Sequence, residues 1–466
     1  MADEKTKINA AVEKLKKLGY IYNDNAQEII EICDMWYTNQ EDTFHKRTNL
    51  NGAEVKIESL NFAKRGCADD ANLCEVVEIN AGKNEEKFKG VNKILEDNHF
   101  QVMYRKQLER LSASGTVGAY LRLENADLLE NGHVRGGRIR INYVNAAGIV
   151  PLTVENDEII DCAFLGYDLR KGKQQQTLVI FKRGEDGLYT GQTYLFDGAG
   201  KALGDQEVKL GDVKPFSILR TAEVNNLDDM EGYGFPKIYS AIPVLKALDL
   251  GWNILYGDLG RGEKLLFLNE LLATIKTDEE GNPQLTQQQK ELFILLGDKL
   301  PEQKSLIYEY NPQIRTKQIT EAMELCLSFL SMIFGYGTKK YTFENGQIKT
   351  ATEYIGERQD AMQDLNKQRY EATQYITGLI HAIIWFSNTF QGTNWKDDEE
   401  ICIEYDDSYV TDRQTQLESM RMDALSFPEI PEFTIQYIML RLNCKREEAL
   451  VYMEGHISDD DDETED

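Results

Sequence analysis

The sequence predicts an α+β fold from three observations. Helix-like apolar stripes occupy both ends of the chain, short alternating β-rich runs fill about 138–220, and helices then resume around a small strand-helix-strand insertion at 263–318. The 466 residues suggest about three domains as a soft prior. Hydrophobic residues at 41% and aromatics at 10% are enough to build real cores. Asp and Glu number 79 against 52 Lys and Arg, a net charge of −27, so an open basic face for nucleic acid is disfavoured. DNA as a passenger is compatible with that charge, because an acidic wall repels a polyanion that a basic wall would hold.

Residues 5–38 read as helical, with Ile8, Val12, Leu15 and Leu18 followed by Ile29, Ile32, Met35 and Trp36. The segments "LNFAKRGCADDANLCEVV" and 85–113 continue that pattern. From "RIRINYVNAAGIVPL" to "FSILR", Gly and Asp punctuate an expected antiparallel meander. Ile238, Ile242, Leu245, Leu248, Trp252, Leu255 and Leu259 then share one stripe of a helix entered through Pro236, with Pro243 marking either a kink or its true start. The insertion reads as a strand "KLLFLNELLATIK", a turn "TDEEGNP", a helix "TQQQKELFILLG" and a strand "SLIYEYNPQIR".

Met323, Leu327, Leu330 and Phe334 define the next helix, which ends at Gly335 and Gly337. Thr350 and Glu353 form a capping-box pattern. They precede a rhythm from Ile355 to Phe390 that implies a rod on the order of 60 Å. "EICIEYDDSYVTD" reads as a strand, "RQTQLESMRMDAL" and "CKREEALVYMEG" as helices, and "DDDDETED" as a disordered acidic tail.

Catalytic motifs are missing from the sequence: there is no G-x-x-x-x-G-K-[ST], H-E-x-x-H or G-x-S-x-G, and the five histidines do not cluster with cysteines or carboxylates. No cofactor or metal is expected. "FDGAGKALG" lacks dinucleotide-binding spacing and reads as a hairpin turn, and His381 reads as a packing histidine. The seven cysteines are scattered without C-x-x-C spacing, as expected of reduced thiols. The amino terminus has no apolar run suited to a signal peptide, and the longest apolar stretches fall short of the roughly 18 to 20 residues a membrane span requires, so a soluble chain is expected. The one enzymatic candidate is "IEYDDSYV", where Glu404, Asp406 and Asp407 resemble the paired carboxylates of metal-dependent polymerases and nucleases. No further acid or cationic groove accompanies them, and the simpler reading is a strand ending in an Asp-rich turn before a helix capped by Thr411 or Asp412.

The order of elements is similar to that of tailed-bacteriophage portal proteins, most closely those of phages infecting Gram-positive bacteria. The phrases that carry the resemblance are "LNFAKRG" at 60–66, "GYGFPKIYSAIPVLKALD" at 232–249, "IYEYNPQIR" at 307–315, "KTATEY" at 349–354 and "IEYDDSYVTD" at 403–412. It spans nearly the whole chain, although "LNFAKRGCADDANL" is less apolar than the helix expected there. The resemblance implies a ring, commonly a dodecamer, at one capsid vertex around a DNA channel. Its parts would be an amino-terminal wing at 1–235, a first stem helix at 236–262, a clip at 263–318 and a second stem helix at 319–334. A tunnel loop would follow at 335–350, then a long wing helix with an acidic strand at 351–412, and a crown with the acidic tail at 413–466.

Lys339, Lys340 and Lys349 fall within eleven positions of that loop. With Tyr341 and Asn345 they are its expected channel-facing residues, and "ENG" at 344–346 supplies a tight turn. Asp278, Glu279, Glu280 and Gln288 of the clip are the expected docking residues. The implied partners are other copies of the chain, double-stranded DNA without sequence preference, the terminase large subunit, a head-completion or adaptor protein, and the major capsid and scaffolding proteins. The implied location is the virion, after assembly in the host cytoplasm. Two alternatives stand beside this reading: a metal-dependent polymerase or nuclease using Asp406 and Asp407, and a scaffold or adaptor that encloses no DNA.

The enzymatic alternative has a direct test. Purified protein is expected to show no magnesium-dependent cleavage or synthesis of DNA, and Asp406→Ala with Asp407→Ala is expected to change nothing. Activity abolished by that pair would establish the metal-dependent reading.

Overall fold

The structure is a computed structural model. It describes residues 9–453 apart from 49–51, 53, 75, 81–84, 129–133, 171, 262–264, 270–292, 297–306, 311–314, 338–339, 344–350, 398–400, 406–412, 443–445 and 447–448. The expected amino-terminal helix is two, α1 (Asn9–Lys17) and α2 (Asp24–Tyr37). Gly19 takes φ +88° between them, and the Asn23 side chain caps α2 by accepting from the Ala26 amide. A hairpin of β1 (Lys46–Thr48) and β2 (Glu54–Lys56) leads into α3 (Phe62–Ala71).

The segment expected to prolong α3 contains strand β3 (Val76–Asn80) instead. Its Val76, Val77 and Ile79 are β-branched, and its partner strand comes from the far end of the chain, where local periodicity cannot register it. Helices α4 (Glu85–Asp97) and α5 (Phe100–Ser114) follow.

The β-rich region begins earlier than expected, at β4 (Thr116–Glu124), where Val117, Ala119, Leu121 and Leu123 alternate. After a small hairpin of β5 (Asp127–Leu128) and β6 (Val134–Arg135) come β7 (Arg138–Asn145), β8 (Ile149–Glu155), β9 (Glu158–Arg170), β10 (Lys173–Arg183), β11 (Tyr189–Asp197), β12 (Ala202–Lys209) and β13 (Phe216–Arg220). Of the antiparallel meander expected over 138–220, strands β8 to β12 form one sheet, while its two end strands β7 and β13 leave it to flank β4, and the Gly-rich turn at 198–200 joins β11 to β12 as a hairpin. A second sheet has the order β13-β4-β7, also antiparallel. Phe164, Phe181 and Tyr120 pack between the two sheets with ring centroids 4.8–6.0 Å apart, and Phe216 joins them.

Helix α6 (Lys237–Arg261) runs through Pro243, so that residue marks neither its start nor its end. In the insertion the described pieces are three strands, β14 (Leu265–Asn269), β15 (Phe293–Leu296) and β16 (Ile307–Tyr310). Phe293–Leu296 was expected as helix. Its "FILL" run is short and apolar throughout, a pattern that suits a buried strand as well as a helix, and parallel pairing with β14 decides the matter.

Then come α7 (Thr316–Ile333) and the expected long helix, α8 (Ala351–Phe386), about 54 Å at 36 residues, closed by a π-helical turn at Ser387–Gln391. The capping-box Thr350 lies outside the described residues. Strand β17 (Cys402–Tyr405) pairs with β3. Helix α9 (Arg413–Ser426) is followed by α10 (Pro431–Leu442), which the sequence reading did not mark.

The described cysteines are free thiols. Burial pushes the Cys74 thiol up to about 12, and Cys33, Cys67 and Cys162 are raised for the same reason, so these four behave as small apolar side chains. No described helix is long and apolar enough to cross a membrane.

Gly115 caps α5 at φ +77°, and its carbonyl accepts from the Thr221 amide at 3.1 Å. A Cβ there would collide with the Gly234 carbonyl. Gly115→Ala is therefore expected to cost at least about 2 kcal/mol, combining left-handed strain with a backbone clash. A urea midpoint equal to that of the unaltered protein would contradict this account.

Candidate functional site

Helices α6 and α7 start from the same core. Ile238, Ala241, Leu245 and Leu248 of α6 are buried, as are Ile319, Met323, Leu327 and Leu330 of α7. Beyond Leu248 the cover thins: Leu255 is still partly buried against the core, whereas Trp252 and Leu259, expected on the same buried stripe, are exposed along with Ile254 and Tyr256. Arg315 ties the helix ends together by donating to both carboxylate oxygens of Asp258 at 3.0–3.1 Å.

Helix α7 has a second apolar stripe. Leu325, Phe329 and Met332 are spaced i, i+4, i+7 on the side opposite Met323, Leu327 and Leu330, and are 57%, 48% and 54% exposed. This stripe was legible in the sequence at the same spacing as the inner one.

The turn after α7 is built by two left-handed glycines, Gly335 at φ +79° and Gly337 at φ +70°. Phe334 drops into the core over Gly66, where a Cβ would overlap its ring. Ser331 donates to the Leu327 carbonyl at 2.8 Å and accepts from the Tyr341 amide at 3.0 Å. The Tyr341 hydroxyl donates to Asp69 on α3 at 2.9 Å, and its ring lies edge-on to Phe62 and Tyr336. Burial, reinforced by Asp69, raises the Tyr341 phenol far above its ordinary range, which keeps it a donor. Lys340 lies 5.2 Å from the centre of the Tyr336 ring.

Of the expected channel residues, then, Lys340 and Tyr341 are described, and Tyr341 faces α3. Lys339, Asn345 and Lys349 lie outside the described residues, as do Asp278, Glu279, Glu280 and Gln288 of the clip and the carboxylates Asp406 and Asp407. The anchor made by Ser331, Asp69 and Phe62 escaped sequence reasoning, because Tyr341 and Asp69 are 272 positions apart and neither sits in a motif.

No group of three or more His, Cys, Asp or Glu among the described residues is placed to hold a metal. A groove of about 540 Å³ beside β13 and α8 contains Lys214, Arg220 and His381. Each is already matched to a carboxylate: Lys214 to Glu158 at 2.5 Å, Arg220 to Asp157 at 2.7 Å and His381 to Asp397 at 2.6 Å.

No protein-family model matches the sequence, and no curated protein matches it at a significant level. Among the solved structures similar to this chain are the neck of a native GTA particle computed with C12 symmetry and the neck of an empty GTA particle computed with C6 symmetry. In each case the TM-score is 0.38 at 10% identity, over 80% of this chain and 89% of the other.

Proposed function

We propose that this chain is a portal-type subunit whose copies close into a ring around double-stranded DNA at a capsid vertex. The observation that carries the proposal is the exposed apolar stripe of α7, Leu325, Phe329 and Met332, together with the exposed Trp252, Tyr256 and Leu259 of α6. A helix apolar on two sides is buried on two sides, and this chain covers one. A further copy, offering a different face to the same stripe, makes a heterologous contact, which generates a closed ring when the rotation between copies closes and an open filament when it does not. The element order and the quoted phrases that resemble portal proteins support the same reading. In that arrangement α6 and α7 are the stem, 263–318 the clip and 413–466 the crown, in a ring of about twelve copies within the virion, assembled in the host cytoplasm.

The chain acts as a conduit, without catalysis of its own. A separate terminase supplies the work, and terminase and the head-completion protein dock on the clip through Asp278, Glu279, Glu280 and Gln288. Capsid and scaffolding proteins surround the wing. Lys339, Lys340 and Lys349 touch passing phosphates, with Asn345 at the loop tip and Tyr341 holding its base. Phosphate contacts without base readout suit a channel that accepts any sequence. They must stay few per copy, because neutralising about 6 to 10 phosphates produces affinity that would clamp the duplex.

Mass determination tests the ring. The full chain is expected as a large closed oligomer, and Leu325→Ser with Phe329→Ser is expected to yield folded monomers. A monomeric or dimeric full chain would defeat the portal reading and favour a scaffold or adaptor. For the loop, changing Lys339, Lys340 and Lys349 together to Ser is expected to preserve folding and rings. Packaging, or retention of packaged DNA on heating, is expected to fall. Full-length DNA packaged at the normal rate and retained would remove the lysines from the mechanism.

A further inference from the structure

His45 is 7% exposed and lies between two buried carboxylates, Glu41 at 7% and Asp249 at 3%. Its Nδ1 is 2.8 Å from the Glu41 carbonyl oxygen and 3.2 Å from Glu41 Oε2, and its Nε2 is 2.9 Å from Asp249 Oδ2. Neither carboxylate is free to turn away. The Glu41 carboxylate accepts from the Phe44 amide at 2.9–3.1 Å and from the Thr43 hydroxyl, and Asp249 Oδ1 accepts from the Leu60 amide at 2.8 Å.

Every oxygen facing the imidazole is therefore an acceptor, on both edges of the ring. A neutral imidazole has one N–H and would aim its other nitrogen's lone pair at a carboxylate or carbonyl oxygen, whereas an imidazolium donates on both sides. The rings of Trp36 and Phe44 flank it with centroids at 5.2 and 5.1 Å, as suits a cation.

The three groups come from two parts of the fold. Glu41 and His45 lie in the turn between α2 and the β1-β2 hairpin, and Asp249 lies in α6, 204 positions away. The chain leaving the hairpin is bound to the same helix and the same turn. The Ile57 amide donates to the His45 carbonyl at 2.8 Å, the Glu58 amide to Asn253 Oδ1 at 2.9 Å, and Asn253 Nδ2 to the Glu58 carbonyl at 2.7 Å.

We infer that His45 is a proton-dependent clamp that, as an imidazolium, fastens the β1-β2 hairpin to helix α6 and releases it when the proton is lost. The charged groups facing the ring are Glu41 from the turn and Asp249 from α6. Lys246 of α6 lies across the Phe44 ring at 5.5 Å, and the Asp42–Lys46 pair sits on the outer surface at 2.6 Å. Burial alone would lower the His45 pKa, but the hydrogen bonds and charges of Asp249 and Glu41 together outweigh it and the net shift is upward. A histidine raised on folding contributes stability in full below its unfolded value of about 6.5, and that contribution fades as pH climbs through the folded value. Rising pH therefore opens the clamp. This inference rests on the fold alone and holds whether or not the chain forms a ring.

Histidine side-chain 15N spectra of the full chain at about pH 6 are expected to show both His45 nitrogens protonated, with a titration above the ordinary histidine value of about 6.5. Trypsin cleavage after Lys46 and Lys56, normalised to an unfolded reference peptide, is expected to rise at least about fivefold once pH passes that titration. Asp249→Asn is expected to lower the titration, because one of the two anions is gone. His45→Gln is expected to leave the hairpin susceptible at all pH values, with no step. A neutral tautomer at about pH 6, cleavage that does not change across the titration, or a step that persists in His45→Gln would each overturn the clamp. The spectra of the unaltered chain decide the matter even if a variant fails to fold.

Discussion

Strand β4 is buried on both faces over its first six residues, and the rest of the molecule is arranged around satisfying that burial. One side packs the aromatic cluster beneath the five-stranded sheet, and the other receives helices α5 and α8. Such a strand cannot lean on water for its polar groups, so the partners are built in. Gln107 of α5 donates to the Gly118 carbonyl at 2.8 Å and accepts from the Tyr375 hydroxyl at 2.7 Å, and Ser217 of β13 donates to the Tyr375 carbonyl at 2.8 Å. A helix from residues 351–386 is thereby locked to one from residues 100–114, and both to the central sheet. Each bond in the relay is buried, so breaking one leaves a partner unsatisfied at a cost of about 1–3 kcal/mol.

That rigid block gives α6 and α7 a fixed base. Lys237, at the root of α6, is 8% exposed and donates to Asp70 of α3 at 2.9 Å. Burial alone would lower its pKa, but the charge of Asp70 outweighs this and it stays charged. Buried pairs of this kind resist loss of either partner more than they add net stability. At the same end of the helix pair, where α7 finishes beside the start of α6, Phe334 and Tyr341 seat the turn after α7 on the same helix α3. The helices are thus anchored on α3 at one shared end and tied to each other by Arg315 and Asp258 at the other, while Leu325, Phe329 and Met332 of α7 stay exposed. A net charge of −27 makes separate copies of the chain repel at long range.

The sequence by itself determined the class and the periodic elements. Repeats in Ile238–Leu248, Met323–Phe334 and Ile355–Phe390 announced α6, α7 and α8, because a helix face is written in residues three and four apart. Alternation announced the meander from β8 to β12 for the same local reason. The second stripe of α7 was equally local, as Leu325, Phe329 and Met332 are spaced to show it. Tertiary structure alone decided where those helices stop being covered. Trp252 and Leu259 share a stripe with Leu245 and Leu248, yet only the latter pair meets the core, since nothing in the spacing records how far the body extends. It also decided every pairing between distant segments: β3 with β17, β14 in parallel with β15, Tyr341 with Asp69, and His45 with Asp249. Those contacts join residues that carry no periodic or motif signal, and burial in the folded chain is what turns an ordinary histidine, tyrosine or aspartate into a specific partner.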